Sequence, residues 1–108
     1  MANGPEYTEL GRYLNRVADE TKNVRGPYNA ANWMHEEARR RRYDLGTDYH
    51  GRPRTLPKGG AVSKYYLGRS FPEPWWIMAF ADLFDLDARQ REELADHYAY
   101  RFRVGAAA

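Results

Sequence analysis

The chain contains no cysteine among its 108 residues, which excludes disulfides, thiol nucleophiles and cysteine-ligated zinc and suits a reducing compartment. Long apolar runs are also missing: the longest, residues 75–81, is far short of the roughly 20 residues that span a bilayer. The opening Met1-Ala2-Asn3-Gly4-Pro5 has neither a basic n-region nor an apolar core. A soluble, cytoplasmic protein with no membrane partner is the expectation. His35, His50 and His97 fall into no His-x-x-x-His or repeated Glu-x-x-His pattern, so no metal spacing is present. The adjacent pairs Glu36-Glu37 and Glu92-Glu93 point about 100° apart on a helix and share no site. Lys58-Gly59-Gly60 lacks the companion residues of a phosphate-cradling loop. The expectation is therefore a non-enzyme without cofactor or metal.

What the chain does have is segregated charge. Residues 39–69 hold nine Lys/Arg against two Asp, whereas the whole chain carries only +2. Residues 1–38 sum to four positive and six negative charges, and residues 70–108 to four and seven, so the basic excess lies entirely in the middle. A block of this kind suits a polyanion. At this length there is room for one domain and one modest core, here expected over about residues 6–103 with 104–108 as a flexible tail. The sixteen aromatic residues, nine Tyr, four Phe and three Trp, are enough to fill that core and leave rings outside it.

Periodicity predicts five helices. Tyr7, Leu10, Leu14 and Val17 recur at three- and four-residue spacing, giving a first helix over about 6–20, which Gly26 and Pro27 terminate. Asn29, or else Asn32, is the expected N-cap of a second helix with Ala31, Met34 and Ala38 on its inner face. Its last turn holds Arg39 to Arg42, where cations meet the negative end of the helix dipole. Residues 43–60 show no helical period but carry Gly46, Gly51, Pro53, Pro57, Gly59 and Gly60, so a long loop or a β-hairpin is expected. A short third helix covers 61–67 and stops at Gly68. The fourth places Ile77, Phe80, Ala81 and Phe84 on one face, with Trp76 or Leu83 widening the stripe into the centre of the core. Asp87 and Gln90 have the form of a capping box before a fifth helix through Leu94, Tyr98 and Phe102.

Within this pattern, Val62-Ser63-Lys64-Tyr65-Tyr66-Leu67-Gly68-Arg69-Ser70-Phe71-Pro72 followed by Phe80-Ala81-Asp82-Leu83-Phe84-Asp85-Leu86-Asp87 resembles the second half of the Cro/repressor-type helix-turn-helix domain, the xenobiotic response element (XRE) family. The likeness covers about a third of the chain. It implies an all-α, five-helix, lambda repressor-like fold in which the helix near 61–67 enters the major groove of double-stranded DNA. It also implies a bacterial, phage or plasmid transcriptional regulator, in all expectation a repressor, associated with the nucleoid and binding as a dimer. The departure from the family is the segment between helices two and three, some eighteen residues where a turn of three to four is usual.

On that reading Ser63 and Lys64 are the candidates for base edges. Arg39, Arg40 and Arg42 are candidates for phosphate, since four consecutive residues cover 300° of helix and cannot all face one partner. Salt bridges to Glu36, Glu37 or Asp44 are the alternative for these arginines. Arg52 and Arg54, flanking Pro53, and Lys58 extend the basic surface toward a minor groove, and Arg69 could clamp a phosphate. Of the adjacent Tyr65 and Tyr66, one packs inward while the other can donate its hydroxyl to phosphate; core packing is the safer reading for either one, and Tyr66 is the candidate for the phosphate contact. Tyr98 and Phe102 on the fifth helix are the expected homodimer seam. Two other functions stay open: an architectural, nucleoid-type binder with little sequence preference, and a protein-interaction module such as an antitoxin or antirepressor.

Overall fold

The structure, a computed structural model, describes residues 8–56 and 60–107; for residues 8, 60–62 and 100–107 it describes the backbone alone. Five helices follow in order, α1 (Thr8–Lys22), α2 (Pro27–Arg41), α3 (Gly60–Tyr66), α4 (Pro74–Leu83) and α5 (Ala88–Ala107). The fold is all-α. Among the described residues the only β pairing is an isolated antiparallel bridge between Thr47 and Pro53.

Each helix end has a local cause. α1 stops where Asn23 turns left-handed at φ 55°, its N–H bonding to Asp19 O at 2.9 Å. α2 begins earlier than its asparagines predict. Gly26, at φ 93°, delivers the chain into Pro27, whose fixed φ and missing N–H suit a first helical position, and Asn29 sits within the first turn, its amide donating to Arg25 O at 3.0 Å. The other end of α2 is capped by Arg42 at φ 51°, and Tyr43 N–H returns to Ala38 O at 2.9 Å. Gly68 at φ 74° closes α3, with Arg69 N–H on Lys64 O at 2.9 Å. Asp85 at φ 54° follows α4. The capping box of α5 is reciprocal: Gln90 N–H donates to Asp87 Oδ1 at 2.8 Å and Asp87 N–H to Gln90 Oε1 at 2.9 Å. The α5 backbone stays helical to Ala107, through the stretch the sequence assigned to a tail.

α4 occupies the centre of the core, as its apolar stripe predicts. Trp76, Ile77, Phe80, Ala81, Leu83 and Phe84 are all buried, and their rings form a continuous series: Trp76 to Phe80 at 5.6 Å, Phe80 to Phe84 at 4.6 Å, and Phe84 to Trp33 of α2 at 4.5 Å. Each of the larger side chains, Ile77, Phe80, Leu83 and Phe84, contributes roughly 1.5–3 kcal/mol by leaving water. α1 supplies Leu10, Tyr13, Leu14, Val17 and Ala18 to the same core. It joins α5 through Tyr13, whose hydroxyl donates to Gln90 O at 2.7 Å and whose ring stacks on His97 at 4.6 Å.

Two features of α1 fix α3. Gly11 brings the helix so close that a Cβ there would lie 2.8 Å from Tyr66 O and 2.9 Å from Gly68 N. One turn further, Asn15 Nδ2 donates to Tyr66 O at 2.7 Å, giving a terminal carbonyl of the short helix a partner. From the other side Tyr66 is buried against α2 and its hydroxyl meets Met34 Sδ at 3.5 Å. The seven-residue helix, too short to be stable alone, is thus held by its neighbours.

Candidate nucleic-acid interface

The basic segment begins with four arginines whose environments differ sharply. Glu37 on α2 binds both Arg40, through Nε at 2.7 Å, and Arg41, through Nε at 2.7 Å; hydrogen bonds from Arg40 and then Arg41 lower its pKa. Arg41 reaches further, making a two-point contact with Asp85 at 3.1 and 2.9 Å, and Lys22 approaches the same carboxylate at 2.7 Å. With those partners, Arg41 first, Asp85 falls to a pKa of about 2. The ends of α1, α2 and α4 are thereby tied together by Lys22, Asp85, Arg41 and Glu37. Nearby, Asp82 accepts the Tyr43 hydroxyl and Arg91 Nη1, the latter at 3.0 Å. Arg39 and Arg42 are exposed and make no ion pair among the described residues.

The segment after Arg42 is a small hairpin. Asp48 N–H donates to Arg52 O at 2.8 Å and Arg54 N–H to Gly46 O at 3.0 Å, on either side of the Thr47–Pro53 bridge. Gly51, at φ 79°, makes the turn with its N–H on Asp48 O at 2.9 Å. Leu56, buried in the core, anchors the return strand, and its carbonyl lies 2.5 Å from Nδ1 of His35 on α2. Arg39 follows His35 at i+4, so it continues along the stripe of α2 that carries this segment, and Arg42 is the left-handed residue that ends the helix.

Within this hairpin the two aspartates of the basic segment bind backbone rather than arginine. Asp44 Oδ1 accepts Gly46 N–H at 2.8 Å, and Asp48 Oδ1 accepts the N–H groups of His50 and Arg52 at 2.8 and 3.0 Å. No described cation pairs with either carboxylate. Arg54 is built in, its guanidinium 5.3 Å over the Trp75 ring and 3.5 Å from Leu45 O, while Arg52 is exposed. From Trp75 a strip of contacts leads to α3. The indole N–H donates to Glu73; burial and then the charge of Glu73 raise the pKa of Tyr65; and Lys64 Nζ stands 5.5 Å over the Tyr65 ring. The root of the hairpin and the outer flank of α3 are therefore neighbours.

No family model, no curated protein and no solved structure matches this chain.

The candidate residues consequently separate into groups. Arg39, Arg42, Arg52, Lys64 and Arg69 are exposed and unpaired among the described residues. Arg40 is exposed but already holds Glu37, and Arg54 lies against Trp75. Ser63 is half-buried, and Lys58 lies outside the described residues. Tyr66 is the correction: at 2% exposure with its hydroxyl on Met34, it offers nothing to a phosphate, because the ring that turns inward from α3 is this one. Tyr98 is half-buried within its own chain, stacked on Phe71 at 4.6 Å with its hydroxyl on Pro72 O at 3.0 Å, and the Phe102 side chain lies outside what is described.

Three contributors escaped the sequence reading. Gly11 and Asn15 lie in the first helix between the apolar positions that define its period, although an isolated glycine inside a helical period is itself a sign of close packing. Trp75 carried no signal beyond its place in an apolar run. Among the described residues no group of His, Asp or Glu is arranged to hold a metal, and no helix is long and apolar enough to cross a membrane.

Proposed function

We propose that the protein is a DNA-binding regulator of the helix-turn-helix type, with α3 as the element presented to the major groove and the hairpin and the end of α2 on flanking phosphates. The observation that carries this reading is the fate of the charges: the acids inside the basic segment face backbone N–H groups, and Arg39, Arg42, Arg52, Lys64 and Arg69 remain exposed without counter-ions among the described residues. A second support is mechanical. α3 is gripped from behind by Gly11, Asn15 and Met34, which leaves Lys64 on the outer side of a helix that cannot easily shift. Repression from a two-fold site is the mode the family resemblance implies. A homodimer would use the α4–α5 side, where Met78 is 66% exposed beside an apolar groove of Pro74, Ile77, Ala81 and Leu94.

The test is selection of random duplex fragments by the purified protein at about 150 mM salt, followed by affinity measurements across a salt series. Neutralising about five phosphates gives a slope of log K against log salt of about −4 to −5. Lys64→Ala is expected to relax any selected motif, while Arg39→Ala and Arg52→Ala each reduce the slope by about 1 and leave the motif intact. Arg41→Ala, by contrast, lowers stability and leaves the slope unchanged. Recovery of no DNA at all overturns the proposal.

A further inference from the structure

The hairpin tip carries a feature that phosphate binding does not use. Tyr49 is 92% exposed, in a chain whose Tyr13 and Tyr66 are fully buried, and its ring lies 3.9 Å from that of His50. The two rings, tilted 38° to each other in contact on a turn, present a projecting aromatic pair to water. The turn beneath them is braced. Asp48 Oδ1 holds the N–H groups of His50 and Arg52, Gly51 N–H bonds to Asp48 O, and Asp48 N–H bonds to Arg52 O. The root is fixed too, by buried Leu56, by His35 and by Arg54 on Trp75. Little conformational freedom remains to be lost when such a tip meets a partner.

We propose that the Tyr49–His50 tip is a wedge that inserts between base steps of duplex DNA; this rests on the DNA-binding reading above and adds to it a site on the hairpin. The chemistry fits a base step better than a base edge. A phenol ring placed edge-on has one hydroxyl and little capacity to tell bases apart, whereas every base offers a π-face, so stacking is tolerant of sequence. Inserted apolar or aromatic side chains part-unstack a step and kink the duplex, and flanking cations hold the phosphates that the kink brings closer. Arg52, exposed three residues from Tyr49, is placed for that second task. A wedge also gives a purpose to the long connection between α2 and α3, which a bare helix-turn-helix does not require.

Relaxation of closed circular plasmid by a topoisomerase in the presence of saturating protein, read alongside affinity for a random duplex, tests the proposal. The wild type is expected to leave the plasmid underwound after the protein is removed. Tyr49→Ala is expected to bind at least about five-fold more weakly and, when raised to the same occupancy, to leave the linking number unchanged. Tyr49→Trp restores both, and Tyr28→Ala, which removes a ring 61% exposed on α2, alters neither. Because Tyr49 makes no core contact, circular dichroism of its variants should match the wild type. If the wild type binds DNA and Tyr49→Ala binds and unwinds equally well, the wedge is refuted while DNA binding stands. If the wild type does not bind DNA, both the wedge and the DNA-binding reading fall.

Discussion

Gly11→Ala should separate helix propensity from packing in this fold, because the two act in opposite directions at that position. In an isolated helix the substitution stabilises by about 1 kcal/mol, since alanine loses less backbone freedom on folding. Here the new Cβ would stand 2.8 Å from Tyr66 O, 2.9 Å from Gly68 N and 3.2 Å from Gly68 Cα. All three are backbone atoms at the end of α3, so no flexible side chain can swing aside. Relief requires α1 and α3 to part by several tenths of an ångström, an overpacking cost of about 1–3 kcal/mol. Parting also stretches the Asn15 Nδ2 to Tyr66 O bond, now 2.7 Å, which is worth about 0.5–1.5 kcal/mol. The balance is a net loss of about 2 kcal/mol.

Urea and thermal unfolding followed by circular dichroism would measure it, with a fall in Tm of roughly 8 °C at about 4 °C per kcal/mol for a domain of this size. Arg12→Ala is the control: that side chain is 74% exposed and, among the described residues, paired with Glu9 alone, so its removal should stay within about 0.5 kcal/mol. A Gly11→Ala protein as stable as the wild type, or more so, would show that α1 does not press on α3 and would remove the mechanical support for the proposed role of α3.

Acid titration should expose the tie around Asp85. Its folded pKa of about 2 lies below the ordinary carboxylate value, so the stabilisation is complete above that value and disappears as pH falls from about 4 through about 2; because the side chain is 51% exposed and screened, about 1 kcal/mol or less is at stake, and Asp85→Asn should flatten that part of the stability curve. At the alkaline end Tyr13 and Tyr43 are each pushed up to about 12, mainly by burial, and burial raises Tyr66 well above its ordinary value as well. Their neutral forms stabilise the fold below pH 10 and that contribution is lost as pH rises from 10 through 12, so absorbance at 295 nm should show these phenols ionising together with loss of helix signal; ionisation near 10 with the fold intact would contradict their burial. Arg42→Gly should raise stability and weaken the proposed DNA binding at once. Glycine accepts φ 51° without the roughly 1 kcal/mol that a side chain pays there, while one unpaired cation is lost and the salt slope falls by about 0.9; a loss of stability would mean that Arg42 makes a contact the structure does not contain.

The helices were largely legible because their signals are local. Ile77, Phe80, Ala81 and Phe84 share a stripe by spacing alone, and Asp87 with Gln90 completes a hydrogen-bonded ring over three residues. Errors arose where two local signals competed. Asn29 is a good cap in isolation, yet Gly26-Pro27 lies just ahead of it, and proline at a first helical position begins the helix before the asparagine is reached. The adjacent Tyr65 and Tyr66 pose the same difficulty in another form: the spacing says that one turns in, and only the approach of Met34 and Gly11 decides that it is Tyr66.

The division of the arginines was not legible, and the reason is physical. Helix geometry establishes that four consecutive residues cannot face one partner, but which one is neutralised depends on an acid brought back by the fold. Asp85, 44 positions from Arg41, arrives there because the chain turns left-handed after α4, as it does at Arg42 after α2. Neither turn carries a glycine, so neither announces itself. In the hairpin the outcome reverses for an equally local reason: Asp44 and Asp48 stand two positions before amide groups left open by the tight turn, and a carboxylate held by its own backbone is drawn away from the guanidinium groups nearby. Long-range pairing thus removes Arg41 from the basic surface while short-range capping keeps Arg52 on it, and the exposed unpaired charge of the described residues sits at the end of α2, on the hairpin and around α3, a division that the bare count of Lys and Arg from Arg39 to Arg69 does not reveal.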